Sequence, residues 1–389
     1  MKVALVAEWL DAWRGGAETS TIQFMRHLMA AGAEVHVFTR SRPSPTPGLE
    51  VYTLSGAAMS RTRRSATFAH RVGRLLQPGR FDVVHAISPC PVADIYQPRG
   101  GTLRETIERN IALRGAASAR FFKRHANRFN LKQRYLLTLE RKLLGGADGP
   151  IVIAISDYVL RQLKEHYALP DERIRLIYNG VDGDDASEGQ RRENRATIRR
   201  EFAIRDDQCL VITIAHNFRL KGVNRWMEAM ALLLRRGVRD VRALVIGKGE
   251  SPAWHRLAGR LGIADYLTFT GPSERVSAFR HAADVLVHPT YYDPCSRVVL
   301  EGMVSGLPCV TTRWDGASEM IEDGANGFVL ADPDDVDELA QAVDRLRDVN
   351  LRHAVGEAAR SMRSRVDMAE HTRRVLSLYE SLATAGARR

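Results

Sequence analysis

Two carboxylates eight residues apart, Asp293 and Glu301, stand in the stretch "HPTYYDPCSRVVLEGMVSGLPCVTT", where a turn runs straight into an apolar helix. Asp293 follows "VLVHPTYY", a position that projects an acid into the crevice beyond a strand end. Glu301 is expected about two turns inside a helix beginning near Ser296, since two turns take roughly seven residues. The first-turn amides of Ser296, Arg297 and Val298 would then be open to phosphate oxygens. A carboxylate further along the same face can accept hydrogen bonds from vicinal hydroxyls, such as those of a ribose. The plainer alternative is that Asp293 caps the helix and Glu301 makes a surface ion pair.

Cations are found where such a ligand would need them. In "IAHNFRLKGVNRW", Arg219 and Lys221 occupy a strand-to-helix connection, and two fixed cations there can hold a diphosphate and stabilise it as a leaving group. Arg225 nearby reads as a solvated charge. In "WRGGAETS", Gly15 and Gly16 lie between a first strand and its helix, where backbone amides can meet an anion with no Cβ in the way. This is neither the three-glycine dinucleotide fingerprint nor a P-loop, and a tight turn with no ligand explains it equally well.

The elements that must position these residues alternate. "KVALVAE", "EVHVFT", "LEVYTL", "FDVVHAI", "PIVIAIS" and "IRLIYNGVD" read as strands in the first half, with helices such as "AETSTIQFMRHLMAAG" and "DYVLRQLKEHYA" between them. "CLVITIAH", "RALVIGKG", "YLTFTG", "ADVLVHPT", "LPCVTT" and "GFVLA" repeat the scheme in the second. The fold class is therefore α/β, two Rossmann-like doubly wound domains facing across a cleft. The expected boundaries are 1–183, with a basic helical insertion at 102–143, then 184–367, and a C-terminal helix at 368–389 packing back toward the first domain. "DGDDASEGQRRENR" has no apolar periodicity and reads as the linker, with Asp182 and Asp184 as linker charges.

Taken together, the Gly-Gly turn, "IYNGVD", the Arg and Lys before Gly222, "VIGKGE", "DPCSRVVLE", "GLPCVTT" and "GASEMIEDGANGF" resemble the retaining, nucleotide-sugar-dependent glycosyltransferases of family 4. Within that family, "FRLKGVNRWMEAMALL" is similar to the glucosyltransferases of lipopolysaccharide-core assembly. The resemblance implies the GT-B fold, with an acceptor-binding first domain and a donor-binding second. It also implies a nucleotide-sugar substrate, a UDP-sugar, with no cofactor and no metal. By the same resemblance Glu301 holds the donor ribose, and Asp293 touches the donor sugar near the reaction centre. Arg219 and Lys221 bind the diphosphate, Gly15 and Gly16 form the N-domain turn that meets it, and His85 lies near the transferred sugar. Three positions depart from the family pattern: Asp293 is one methylene shorter than the usual glutamate, Ser296 replaces a frequent glycine, and the Arg–Lys spacing is short.

Charge points to the partner. The 389 residues carry a formal net charge of +11, a balance suited to a polyanion, an anionic membrane or a phosphorylated substrate. Eleven of the cations crowd into residues 104–142, from Arg104 to Lys142, against Glu105, Glu108 and Glu140 alone. Phe121, Phe122, Phe129, Tyr135, Leu136 and Leu137 interleave with them. That mixture fits the interface of an anionic membrane and a glycan or lipid-linked acceptor; the alternative is a pair of amphipathic helices with solvated arginines outside. No nucleic-acid module is recognisable, so nucleic acid is not expected as a partner. The start "MKVALVAEWLDAW" is cut short by Glu8 and reads as a strand rather than a signal peptide. The four cysteines lack metal-ligand or redox-pair spacing. A cytoplasmic enzyme, peripheral on the inner face of the membrane, is the resulting expectation. A nucleotide-sugar epimerase of similar fold and a basic nucleic-acid-binding protein are the rival readings.

Overall fold

In the computed structural model, which describes residues 1–11, 15–43, 46–54, 61–77, 79–114, 117–145 and 149–386, the chain divides into two compact units. The first comprises Met1–Val181 and Met368–Arg389, the second Asp182–Asp367. Each is built on one sheet whose strands are all parallel.

The first sheet runs in the order β3-β2-β1-β4-β5-β6-β7. Its strands are β1 (Lys2–Val6), β2 (Glu34–Thr39), β3 (Glu50–Thr53), β4 (Val83–Ala86), β5 (Ile95–Tyr96), β6 (Ile151–Ala154) and β7 (Ile174–Leu176). Parallel strands need crossovers, and helices α1 (Gly16–Ala30), α2 (Arg61–Leu75), α3 (Leu103–Ala112), α4 (Ala117–Arg128), α5 (Leu131–Gly145) and α6 (Asp157–Tyr167) provide them. Because both faces of such a sheet are covered, the central strands are apolar throughout: Val3, Leu5, Val83 and Ile153 are completely buried.

The second sheet runs in the order β10-β9-β8-β11-β12-β13. Its strands are β8 (Cys209–Ile214), β9 (Val241–Ile246), β10 (Leu267–Gly271), β11 (Val285–Val287), β12 (Cys309–Thr312) and β13 (Phe328–Leu330). Around them lie α7 (Glu188–Glu201), α8 (Val223–Arg235), α9 (Pro252–Leu261), α10 (Val276–Ala282), α11 (Arg297–Val304), α12 (Val336–Arg345) and α13 (Val349–Ser361). The core gathers on Trp226, Met227 and Met230 of α8, packed with Leu339 and Val343. The last helix, α14 (Met368–Gly386), returns to the first unit and packs on α1, burying Val375 and Tyr379 beside Phe24 and Leu28.

The expected linker is partly wrong. From Glu188 onward it is α7, capped by Ser187, whose Oγ accepts from the Gln190 amide. This helix is polar on nearly every side, so apolar periodicity could not reveal it. Ionic contacts hold it instead: Arg195 and Arg199 reach the buried Asp284 at 2.9 and 2.5 Å. Asp184 is no free linker charge either, since it is buried against His281 at 2.7 Å and Arg191 at 3.2 Å.

Candidate active site

In each sheet the strand order reverses once, between β1 and β4 and between β8 and β11. Loops diverge at such switch points and leave room for a ligand beyond the strand ends. Lys221 follows β8 and Asp293 follows β11, so the two residues occupy the two loops of the second unit's switch point. The loops are pinned together, because the Tyr291 amide donates to the Leu220 carbonyl at 2.9 Å. Gly222 permits this approach. Its φ of +67° is left-handed, and a Cβ there would lie 2.0 Å from the Pro289 carbonyl oxygen. The result is a direct pair: Lys221 Nζ donates to Asp293 Oδ2 at 2.5 Å and to the Tyr292 carbonyl at 3.2 Å. Burial alone would raise the Asp293 pKa, but the Lys221 ammonium and the His288 contact at 3.4 Å hold it well below the ordinary carboxylate range. Asp293 is therefore a fixed anion and Lys221 its fixed cation.

A second carboxylate, Asp315, is completely buried beside this pair and escaped the sequence reading. It accepts the Ser296 and Ala317 amides on Oδ1, both at 2.9 Å, and its Oδ2 lies 2.9 Å from Thr311 Oγ1. Thr311 Oγ1 also lies 3.0 Å from the His288 carbonyl, and one hydroxyl proton cannot serve both acceptors. A protonated Asp315 donating to Thr311, which then donates to His288, satisfies every group. Burial, and then the Asp293 charge, push the Asp315 pKa up to about 7. The sign follows directly. A folded-state value above the ordinary 3.8 means that the contribution of Asp315 to stability is complete below that value and is lost as pH climbs through about 7. Asp315→Asn keeps an acceptor for the two amides and a donor for Thr311 without the titration. Thermal unfolding between pH 5 and 8 should show the variant gaining on the wild type by several degrees as pH rises. A constant difference would mean that Asp315 does not titrate in this window.

The helix that follows corrects two expectations. Glu301 is the fifth residue of α11, one turn in rather than two, because the helix starts at Arg297 and the Asp293–Ser296 segment is not helical. It therefore lies four residues from Arg297 and accepts from it at 2.6 Å, while Arg280 donates to its other oxygen at 2.9 Å. Of the three expected anion-binding amides, that of Ser296 is taken by Asp315. Ser296 instead caps the helix, its Oγ accepting from Val299 N at 3.4 Å. The amide of Val298 lies in the first turn of the helix, with no carbonyl of the helix within reach.

A model of glycosyltransferase family 4 matches residues 14–185, and a model of the group 1 glycosyl transferases matches residues 208–348. The chain belongs to glycosyltransferase family 4. The lipopolysaccharide glucosyltransferase WaaG of Escherichia coli (strain K12) is 25% identical over 348 residues, covering 89% of this chain and 90% of the relative. A D-inositol 3-phosphate glycosyltransferase of Acidothermus cellulolyticus is 28% identical over 388 residues, covering 90% of this chain and 82% of the relative. The crystal structure of WaaG superposes with a TM-score of 0.82 at 22% identity, over 97% of this chain and 99% of that one. Anabaena HepE, solved in complex with UDP-glucose, superposes at 0.71 with 19% identity, over 98% of this chain and all of that one. The two parallel-sheet units are the GT-B fold.

Of the other expected site residues of this family 4 glycosyltransferase, Arg219 shares the loop of Lys221, and Gly15, Gly16 and His85 belong to the first unit. Arg219 is exposed, and its side chain has no ion-pair partner among the described residues. Gly15 and Gly16 open α1 at the first unit's switch point, where the Gly15 carbonyl accepts from Thr19; Trp13 and Arg14 lie outside the described residues. His85 departs most from expectation. Its ring is completely buried on β4, between Phe24 and Tyr379, and shares a 2.5 Å hydrogen bond with Tyr379 Oη. Burial, then the nearby Arg99, depress its pKa well below the usual imidazole value. The partner of this neutral histidine enclosed in the core is Tyr379 of α14.

Proposed function

We propose that the protein is a retaining hexosyltransferase. It moves a sugar from a nucleotide diphosphate, a UDP-sugar, to a hydroxyl of a glycan or lipid-linked acceptor. The observation that carries this reading is the Lys221–Asp293 pair at the switch point beside the start of α11. In the step it serves, the donor's anomeric C–O bond breaks while the acceptor oxygen bonds to the anomeric carbon from the same face. The acceptor proton passes to the departing phosphate oxygen. Lys221, with Arg219 and the Val298 amide at the start of α11, offsets the negative charge growing on that diphosphate, so the reading assigns to these groups the charge a metal would otherwise supply. Asp293 faces the sugar, and Glu301 the ribose. Incubating the purified protein with a panel of nucleotide sugars tests it: hexose transfer or hydrolysis with retained anomeric configuration is the expected result. An inverted product, or conversion of the sugar without release of nucleotide, would favour another enzyme.

The working place in this reading is an anionic membrane surface, reached through residues 104–142. Two of the three acids there are buried and bound inward: Glu105 to Tyr158 and His166, Glu140 to Tyr96 and the Leu103 amide. The Glu105–Glu108–His166 group lies close enough to ligate a metal, but Arg109 already donates to Glu105 at 2.6 Å, so the proposal treats it as structural. The outer surface is thus more basic than the sequence count implies. Phe121, Phe122 and Phe129 are 59, 72 and 82% exposed, contrary to an apolar face turned inward. No helix of the described residues is long and apolar enough to cross a membrane. Vesicle co-sedimentation should require anionic lipid and fall with added salt, since exposed charges are screened within roughly 8–10 Å. Neutralising Arg120, Lys123, Arg124 and Arg128 together should weaken it at least about tenfold, at about 1 kcal/mol per cation. Equal sedimentation with neutral vesicles would return these helices to a solvated face.

A further inference from the structure

The loop that carries Asp293 is held by one segment, and Asp315 is at its centre. The Asp293 amide donates to the Trp314 carbonyl and the Gly316 amide to the Asp293 carbonyl, both at 2.9 Å, so Asp315 lies between two bonds to the same residue. Its side chain reaches further. Oδ1 accepts the amide of Ser296, the cap of α11, and that of Ala317 in the short helical turn Gly316–Met320. One carboxyl group therefore joins three pieces of chain: the loop after β11, the start of α11 and the loop after β12. Its other surroundings suit a neutral acid. Asp293 faces it with a like charge. Cys309 of β12 faces it as a thiol kept protonated by burial and then by Asp315 itself. Through Thr311 it reaches the carbonyl of His288, whose ring is kept neutral by burial. Lys221 pulls the other way, but that ammonium already serves Asp293 at 2.5 Å.

We propose that Asp315 is a positioning residue for sugar transfer that acts in its protonated form, holding Asp293 and the start of α11 in place, and that its ionisation sets the alkaline limit of the reaction. A neutral carboxyl offers one oxygen to the two amides and a proton to Thr311. An ionised one has no proton to give, and it places a second negative charge beside Asp293. In so enclosed a space that charge draws on Lys221, the ammonium that must offset the charge growing on the departing diphosphate. Asp315 touches no substrate; it acts through Asp293, Lys221 and the Val298 amide. The inference rests on the reading that the Lys221–Asp293 pair serves a nucleotide-sugar donor.

Two measurements on the full chain test it. The first is the ratio of turnover at pH 6 to that at pH 8, at saturating concentration of the donor that the nucleotide-sugar panel identifies. For a group titrating at about 7 the protonated fraction falls about tenfold over that range, and wild-type kcat should fall with it. The Asp315→Asn variant should be flat, because its amide can make the same bonds and does not titrate. The second measurement needs no reaction: amide hydrogen exchange of residues 293–299 and 314–317, taken relative to free-chain rates at each pH. Protection there should fall through the same range in the wild type and stay constant in Asp315→Asn. If the variant melts early, the wild-type exchange profile decides alone. An equal alkaline loss of turnover in both proteins, or wild-type protection independent of pH, would overturn the proposal. Absence of transfer from every nucleotide sugar would overturn the reading of the donor site, and the exchange result would then decide whether Asp315 holds the loop.

Discussion

Lys221→Ala is expected to lower turnover by at least about a hundredfold, the loss typical when a donor to developing negative charge is removed. Donor affinity should fall less, because charge on the departing diphosphate grows toward the transition state. The structure adds a second consequence. Lys221 and Asp293 are only 19 and 16% exposed, so removing the ammonium leaves a nearly buried carboxylate beside Asp315 without its cation. Breaking such a pair costs about 3–5 kcal/mol, and the residual exposure places this one toward the lower end. Lys221→Arg separates the two effects: it keeps a cation for Asp293 and should recover most of the melting temperature, but only part of the turnover. Arg219→Ala, which strands no partner, should reduce turnover without destabilising the fold. Normal turnover in Lys221→Ala would remove the diphosphate contact from the mechanism.

Glu301→Ala should weaken binding of UDP by roughly 10- to 100-fold, as loss of a charged hydrogen-bonding partner is worth about 1.5–3 kcal/mol. Arg297 and Arg280 each occupy one oxygen of this carboxylate, yet a carboxylate has about four acceptor positions, so room remains for a ribose. The alanine variant will not be structurally silent. The Arg297 side chain is 6% exposed and would lose its carboxylate, lowering stability by roughly 2–4 kcal/mol. Glu301→Gln retains an acceptor for one arginine and should preserve more of the fold while still losing affinity. Calorimetry with UDP, run beside thermal melts of both variants, checks this. Unchanged UDP affinity in a folded variant would leave Glu301 as an anchor for two arginines and nothing more.

What could be read from the sequence follows from what produces each signal. Parallel strands buried on both faces are short apolar runs, so "EVHVFT" maps onto β2 residue for residue. Lys221 and Asp293 were legible because each follows such a run directly, where a switch-point loop must be. Their contact was not, since it depends on Gly222 admitting the Pro289 carbonyl. The helix α7 was missed because its stability comes from Asp284, more than eighty residues away, rather than from an apolar stripe. Asp315 and His288 were missed for a related reason: a buried titratable group has the same letter as a solvated one, and only its neighbours distinguish them. His85 shows the converse. A histidine near the end of a strand looks available until α14 brings Tyr379 down upon it.

That late arrival of α14 bears on how the molecule comes into being. The ribosome delivers β1 and α1 first, but the helix that covers Phe24, supplies Tyr379 to His85 and sets His371 against Gln97 emerges only after the whole second unit. The second unit is one uninterrupted stretch and can fold as it appears. The first must wait with part of its core uncovered. A nascent chain in that state offers chaperones an apolar surface for as long as the intervening residues take to translate. Placing α14 ahead of β1 in the chain would make the first unit continuous and end the wait.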